Sequence, residues 1–405
     1  MSTLNEETGE ERELGFTVVF RLARTPSRSP AAVAVQRRTQ GRARELIVNG
    51  IAHAVVDARA GREPMHEDPI LSGVYVLSAG DHGSTMELVD ELEADDAVEL
   101  VYVAPPRDVL AMRRVFVAGA GGRNNAWHAL IKLSDAQKLP QWAGKERIPI
   151  AAVDSGVDIG HQQLTQVDFE EYLNKPPQRP DMRGHGTHVS GLIGAQSHAG
   201  NSFEGLAADC VDLTMCRGMA KPTDTAAYYR AMRASLGARI INLSVGGEGE
   251  DPIETDIVRE ALEDERCVVV AAMGNSREMG SPTIYPAALD GVIAVGAVDA
   301  NGQCASFSND GEHITLAAPG VDIMSTVPTY YVPGLQRVGD PPLGALSGTS
   351  MATPIVSGII GRMLSFSPSL TRIQVLDLIR TRLGGRWDRD VGHGILDARA
   401  LLSAL

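Results

Sequence analysis

Three short segments follow one another along the chain and hold an acid, a histidine and a serine. They are Asp154-Ser155-Gly156, Gly184-His185-Gly186-Thr187-His188-Val189 and Gly348-Thr349-Ser350-Met351-Ala352-Thr353-Pro354. A serine hydroxyl is a weak nucleophile until an imidazole takes its proton. The imidazole in turn needs a carboxylate to fix its tautomer and balance its charge. Any one segment alone is a weak signal. Together, in this order, they read as the charge-relay machinery of a serine hydrolase.

Each residue also has a plainer reading. Asp154 closes the apolar run Ile148-Pro149-Ile150-Ala151-Ala152-Val153, which predicts a carboxylate at the carboxyl edge of a buried strand, where α/β folds place their sites. Alone it reads as an acid in a turn before Gly156, and Asp158 is a nearby competitor. His185 and His188 stand three apart, a spacing that suits a metal pair, but no third ligand is near. His185 is expected exposed at a helix start, and His188 buried inside the helix as a structural histidine. Ser350 is expected just before an apolar helix from Met351 to about Leu364, at an N-terminus whose backbone amides favour negative charge. Alone it reads as an N-cap.

The elements that must position these residues follow from the apolar runs. Ile148–Val153, Ile240–Leu243, Val268–Ala272 and Val292–Val298 are continuous rather than alternating, as in strands buried on both faces of a parallel sheet. They alternate with helical stretches over residues 126–405. Ahead of them, residues 15–110 predict a small α+β domain. It contains a strand at Phe16–Phe20, apolar runs Leu46-Ile47-Val48 and Ala54-Val55-Val56, and a strand at Val74–Leu77. A helix opened by Ser84, with Glu87 completing a capping box, follows, then a strand from Val98 to Val103 stopped by Pro105-Pro106. Residues 1–14 read as a disordered tail and 111–125 as a linker. The cluster Arg37, Arg38, Arg42 and Arg44 reads as a solvated face.

On these blocks the chain resembles the subtilisin-like serine proteases (subtilases) over residues 126–405. The resemblance implies an α/β, subtilisin-like three-layer fold with a mostly parallel central sheet, preceded by the small α+β N-terminal domain. Asp154 would orient and stabilise the imidazolium, His185 would be general base and then general acid, and Ser350 would attack the scissile carbonyl. The run Val268–Asn275 resembles the family strand that ends in an oxyanion-hole asparagine, which makes Asn275 a donor beside the Ser350 N–H. The segment holding Ser244, Val245 and Gly246 resembles the edge that pairs with an extended peptide. Ala271, Ala272 and Gly274 would wall the pocket for the side chain before the scissile bond, with residues 281–286 as its floor. Ile284 stands where many relatives carry glycine, so a shallower pocket for small or medium apolar side chains is expected.

Two features depart from or extend the pattern. The usual strong calcium site uses an acidic residue soon after the catalytic Asp; here the matching position is Gln163, and the loop at 196–203 is poor in hard oxygen ligands. The usual strong calcium site is therefore expected to be absent and no cofactor is expected, with calcium elsewhere left open. An insertion from Thr329 to Leu343 could be a lid, a substrate-reading loop or plain surface. The N-terminal domain loosely resembles a subtilase propeptide, which implies a domain bound in cis to the catalytic cleft. Autocleavage would then fall between Pro106 and Asn125, with the arginine-flanked Met112 and the stretch Gly119-Ala120-Gly121-Gly122 as candidate places.

Composition narrows the partners. With 43 % hydrophobic residues, 22 % charged residues and a formal net charge of -14 over 405 residues, the chain is globular, and its acidity argues against a nucleic-acid partner. No stretch reaches the apolar length of a membrane span. The N-terminus lacks the basic and apolar regions of a secretory signal. Cys210, Cys216, Cys267 and Cys304 make neither a disulfide framework nor a zinc pattern and are expected as buried thiols. A cytoplasmic serine endopeptidase acting on peptide or protein substrates is the leading expectation. A pseudoprotease or binding protein held by its N-terminal domain, and a peptide ligase or macrocyclase using the same acyl-enzyme, stay open.

Overall fold

Apolar runs with no polar break become the middle of the molecule, and the residues that could do chemistry stand at their ends. The computed structural model describes residues 2–4, 11–13, 16–22, 46, 52–54, 68, 70–71, 73–79, 82–110 and 113–114. From 126 to 405 it describes all but 174–175, 178, 199–202, 223, 334 and 336–341. The arginine cluster at 37–44, the runs at 47–48 and 55–56, Met112 and the glycines at 119–122 lie outside the described residues.

The chain divides into two units, residues 1–106 with 222–230, and residues 107–221 with 231–405. Arg107–Leu110 thus group with the second unit. In the first, β1 (Ser2–Leu4) and β2 (Glu11–Glu13) pair antiparallel within the stretch read as a tail. Strands β3 (Phe16–Leu22), β4 (His53–Ala54), β5 (Val74–Ala79) and β6 (Val98–Ala104) form an antiparallel sheet ordered β4-β5-β3-β6. Helix α1 (His82–Glu93) buries Val89 and Leu92 against Val18, Phe20 and Leu77. It begins two residues before Ser84, which therefore sits inside the first turn and is not the cap.

In the second unit β7 (Asp108–Val109) and β8 (Arg113–Arg114) come first. Then follow β9 (Ile148–Asp154), β10 (Asp168–Glu171), α2 (His185–Gly194), β11 (Val211–Arg217), β12 (Ile240–Leu243), β13 (Val245–Glu248) and α3 (Pro252–Glu263). After these come β14 (Val268–Ala272), β15 (Ile284–Tyr285), β16 (Ile293–Val298), β17 (Ile314–Pro319), β18 (Ile323–Thr326), β19 (Leu343–Ser347) and α4 (Thr349–Phe366), with further short helices that do not bear on the site. Seven strands, ordered β10-β11-β9-β12-β14-β16-β17, make one wholly parallel sheet. The sequence expectation of strands buried on both faces is met: every residue of β12, β14 and β16 is buried. Helix α4 crosses β12, β14, β16 and β17 and packs against α2, while α3 lies on β14, giving the α/β layers expected. Val268, Val270, Ile293 and Val295 meet Ile355, Ile359 and Met363 of α4 in one core, each such side chain contributing roughly 1.5–3 kcal/mol on burial.

Candidate active site

Asp154 ends β9 and His185 begins α2. Nδ1 of His185 lies 2.8 Å and 2.9 Å from the two carboxylate oxygens of Asp154, and both side chains are fully buried. The Ser155 N–H donates to Asp154 Oδ1 at 2.6 Å. A carboxylate against Nδ1 puts the proton on that nitrogen and leaves Nε2 as the acceptor. Nε2 is buried and has no hydrogen-bond partner among the described residues. Asp158, the competing acid, spends its carboxylate on Gly160 N–H and on the N–H and hydroxyl of Thr329.

The close approach of β9 and α2 requires glycine. A β-carbon on Gly186 would lie 2.0 Å from the Gly156 carbonyl oxygen and 3.1 Å from Asp154 Oδ1. Asp181, not singled out in the sequence, holds the helix entry. Its Oδ1 accepts from Ser155 Oγ, Arg183 N–H and Gly184 N–H, and its Oδ2 from the N–H and hydroxyl of Thr187. Burial raises its pKa above the usual carboxylate value. An aspartate four residues before the helix start was the available signal for it. The backbone of Asp181 exchanges two hydrogen bonds with the Tyr330 hydroxyl, at 2.9 and 3.0 Å. The insertion that begins at Thr329 is thus anchored beside His185. His185 is buried rather than exposed as expected, and Leu335 and Pro328 lie against the preceding Gly184, where they occupy the space in which a β-carbon would stand. His188 is the structural histidine expected, its Nε2 donating to Ile323 and Gly344 carbonyls while burial lowers its pKa to about 3.

Ser350 is the second residue of α4, so the helix starts two residues before the expected Met351. Pro354 lies inside that helix and cannot donate to the carbonyl four residues back, that of Ser350. The orphaned carbonyl is met from another element: Ser244 Oγ donates to it at 3.0 Å, and Ser350 Oγ donates in return to the Ser244 carbonyl at 2.8 Å. Asn275 follows β14. Its Oδ1 accepts from the Thr349 N–H (2.8 Å) and the Thr349 hydroxyl (3.0 Å), which fixes Nδ2 on the side toward Gly348. Thr349, missed in the sequence, therefore orients Asn275 and adjoins Ser350.

The predicted peptide-binding edge and pocket are brought together around this serine. Val245 and Gly246 of β13 pair antiparallel with Val109 and Asp108 of β7, and Gly247 and Glu248 pair with β15. On the other side, Ser347 and Leu346 of β19 pair with Arg113 and Arg114. The chain's own segment is therefore held by β13, which directly follows Ser244, and by β19, which ends three residues before Ser350. Leu110 packs with Ala272 and Ile284 in one small apolar cluster. Ile284 fills the slot between Gly246 and Gly274: β-carbons there would lie 2.7 Å and 2.6 Å from its side chain. Ala271 sits one residue back on β14, on the opposite face by strand alternation.

At the position of the family calcium site the residues do not fit the ion. The Gln163 side-chain amide donates to the carbonyls of Gln196 (3.1 Å) and Phe203 (2.7 Å), so a donor faces oxygens that a cation would otherwise bind. Among the described residues no group of three or more His, Cys, Asp and Glu is placed to hold a metal ion, and no helix is long and apolar enough to cross a membrane. None of the four cysteines forms a disulfide; Cys210, Cys216 and Cys267 are buried, while Cys304 is half-buried against Arg277 rather than fully buried as expected.

The acid and the histidine hydrogen-bond to each other and the serine opens a helix of the same unit; comparison with known proteins gives the family. The model of the Subtilase family (peptidase S8) matches residues 145–394; the chain belongs to the subtilase family of serine proteases. It is similar to the minor extracellular protease Epr of Bacillus subtilis (strain 168), 31 % identical over 264 residues, which is 63 % of this chain and 38 % of that protein. Subtilisin DY of Bacillus licheniformis is 31 % identical over 269 residues, 62 % of this chain and 90 % of that protein. Among solved structures, fervidolysin from Fervidobacterium pennivorans, described as a keratinolytic enzyme related to subtilisin, superposes with a TM-score of 0.70 at 22 % identity, over 97 % of this chain and 62 % of that one; this likeness concerns the fold. The prenylagaramide maturation protease PagA gives a TM-score of 0.53 at 26 % identity, over 65 % and 96 %.

Proposed function

We propose that the chain is a serine endopeptidase that cuts peptide bonds through an acyl-enzyme on Ser350. His185 Nε2 takes the hydroxyl proton as Ser350 Oγ bonds to the scissile carbonyl carbon. The imidazolium, balanced by Asp154, then gives that proton to the leaving amine as the C–N bond breaks. Water attacks the acyl-enzyme by the same steps in reverse. The Asn275 amide and the Ser350 N–H are the oxyanion donors. The observation that carries the reading is His185: one nitrogen is locked on a carboxylate and the other is buried without a partner. An unsatisfied buried polar atom costs roughly 1–3 kcal/mol; His188 carries one too, at Nδ1, so what sets His185 apart is the Asp154 carboxylate on its other nitrogen. In the present conformation the Ser350 hydroxyl points to Ser244, so the reaction begins with a rotation about the serine Cα–Cβ bond.

Arg107–Leu110 is the chain's own substrate-like segment in this reading. The antiparallel pairing on β13 and the Leu110 side chain in the slot of Ala272 and Ile284 support Leu110–Ala111 as the bond cut in cis, with residues 1–110 as the propeptide. A likeness to a maturation protease favours cutting at a defined sequence over general turnover, and the buried thiols, none of them in a disulfide, suit a reducing compartment. The test is intact-mass spectrometry of wild type beside Ser350→Ala. At 43.1 kDa for 405 residues, residues 1–110 are about 12 kDa. Loss of that piece from wild type alone, with a new N-terminus at Ala111, is the expected result. If both proteins stay whole and a fluorophosphonate labels neither, the enzymatic reading fails.

A further inference from the structure

Arg107 stands three residues before Leu110, and its guanidinium is 4 % exposed. Nε donates to Glu254 Oε1 at 2.9 Å and Nη2 to Glu254 Oε2 at 2.8 Å, a two-pronged pair on a carboxylate that is itself fully buried. Nη2 also donates to the Gly249 carbonyl at 2.9 Å, and Nη1 reaches the Glu248 carbonyl at 3.5 Å. The geometry follows from the fold. β13 holds the peptide backbone and runs on into Glu248 and Gly249, after which Asp251 caps α3 and Glu254 is its third residue. A carboxylate and two carbonyl oxygens therefore converge on one point beside the peptide-binding edge.

We propose that this point is a specificity subsite. The cleft selects peptides that carry arginine three residues before the residue supplying the scissile carbonyl, and Glu254 is the residue that reads it. The inference rests on the endopeptidase reading and names its substrate class: Arg-x-x-Leu, with cleavage after the leucine. A planar fork matches the carboxylate in two places at once, which a lysine ammonium cannot do. A neutral side chain would leave the buried carboxylate facing the two carbonyls without that cation. The neighbouring contact between Asp108 and Arg183 differs in kind, since those side chains are 37 % and 28 % exposed, and such pairs contribute little. Selection therefore falls on the arginine position rather than on the aspartate.

The test uses the self-processed wild type, internally quenched peptides spanning residues 105–114, and matched peptides with Lys or Ala in place of the arginine. The Arg peptide should exceed the Ala peptide by about 30-fold or more in kcat/KM, with Lys closer to Ala. In Glu254→Gln the ratio of Arg to Ala peptides should collapse toward unity. Equal cleavage of the three peptides by wild type overturns the proposal while leaving the enzyme reading intact, and shows Arg107–Glu254 to be only an anchor of the chain's own segment. A ratio that survives in Glu254→Gln also overturns it. Should that variant not fold, the wild-type peptide series decides alone. Absence of all peptide cleavage together with absence of fluorophosphonate labelling overturns the enzyme reading, and this one with it.

Discussion

Replacing Ile284 by alanine separates the pocket reading from a purely structural one. Ile284 is 3 % exposed, packs on Leu110 and Ala272, and fills the space between Gly246 and Gly274. The substitution removes three buried carbons, worth about 0.8 kcal/mol each, and with the cavity left behind the expected loss of stability is about 2–5 kcal/mol. If the slot receives the side chain before the scissile bond, the same cavity changes selectivity. A leucine there loses its contact while a phenylalanine gains room, and one methylene's worth of fit corresponds to about 10-fold or more in kcat/KM. The assay is kcat/KM on the peptide spanning residues 105–114 and on its counterpart with Phe in place of Leu, beside melting temperatures on the Ser350→Ala background. Wild type should prefer Leu, and the variant should move at least tenfold toward Phe. A melting temperature that falls while the Leu-to-Phe ratio stays within twofold refutes the reasoning and makes Ile284 a core residue.

Asn275→Ala should lower kcat by about 10²–10³ with little change in KM, a magnitude known from the corresponding subtilisin donor, read by steady-state kinetics; an unchanged kcat removes it from the oxyanion site. Because the Gln163 amide already holds the Gln196 and Phe203 carbonyls, a chelator should leave the melting temperature of wild type unmoved, whereas Gln163→Ala should lower it. His188 is kept neutral, its pKa lowered by burial to about 3. The unfolded chain binds its proton below about 6.5 while the native state does not. Stability should therefore fall as pH drops from about 6.5 toward 3, by about 1.4 kcal/mol per unit, or about 3 kcal/mol at pH 4.5. Denaturant unfolding of Ser350→Ala at pH 7 and 4.5 should show that loss, and His188→Gln should lose correspondingly less.

The placement of the acid, histidine and serine blocks at the ends of strands and the starts of helices was legible because each block is local. A few residue types within a few positions state that a carboxylate ends a buried strand, or that a histidine and a serine open small-residue helices, and the parallel sheet formed where the apolar runs were continuous. What failed depended on segments distant in sequence. His185 looked exposed because helix starts usually face water; it is buried, and Leu335 and Pro328, more than 140 positions on, lie against the Gly184 before it. Pro354 lies inside the helix that Ser350 opens, and the carbonyl it orphans accepts from Ser244, 106 positions away in sequence. Ser84 announced a cap by pattern alone, and the helix had already begun.

The arginine subsite was hidden for the same reason, compounded by two plausible local explanations. Arg107 follows Pro105-Pro106, where a charged residue reads as solvated linker. Glu254 follows Asp251-Pro252, where an acid in the first turn reads as a complement to the helix dipole. Neither explanation predicts burial, and burial is what separates them from the observed state. A first-turn glutamate serving only the dipole could stay wet at little cost, whereas desolvating this one costs several kcal/mol unless a partner meets it in good geometry. That partner lies 147 positions away and arrives only because β7 pairs with β13. The pairing that presents Leu110 to the pocket of Ile284 also delivers Arg107 to Glu254. Cleft occupancy and arginine recognition are thus one geometric event, and a peptide that satisfies the second is held in register for the first.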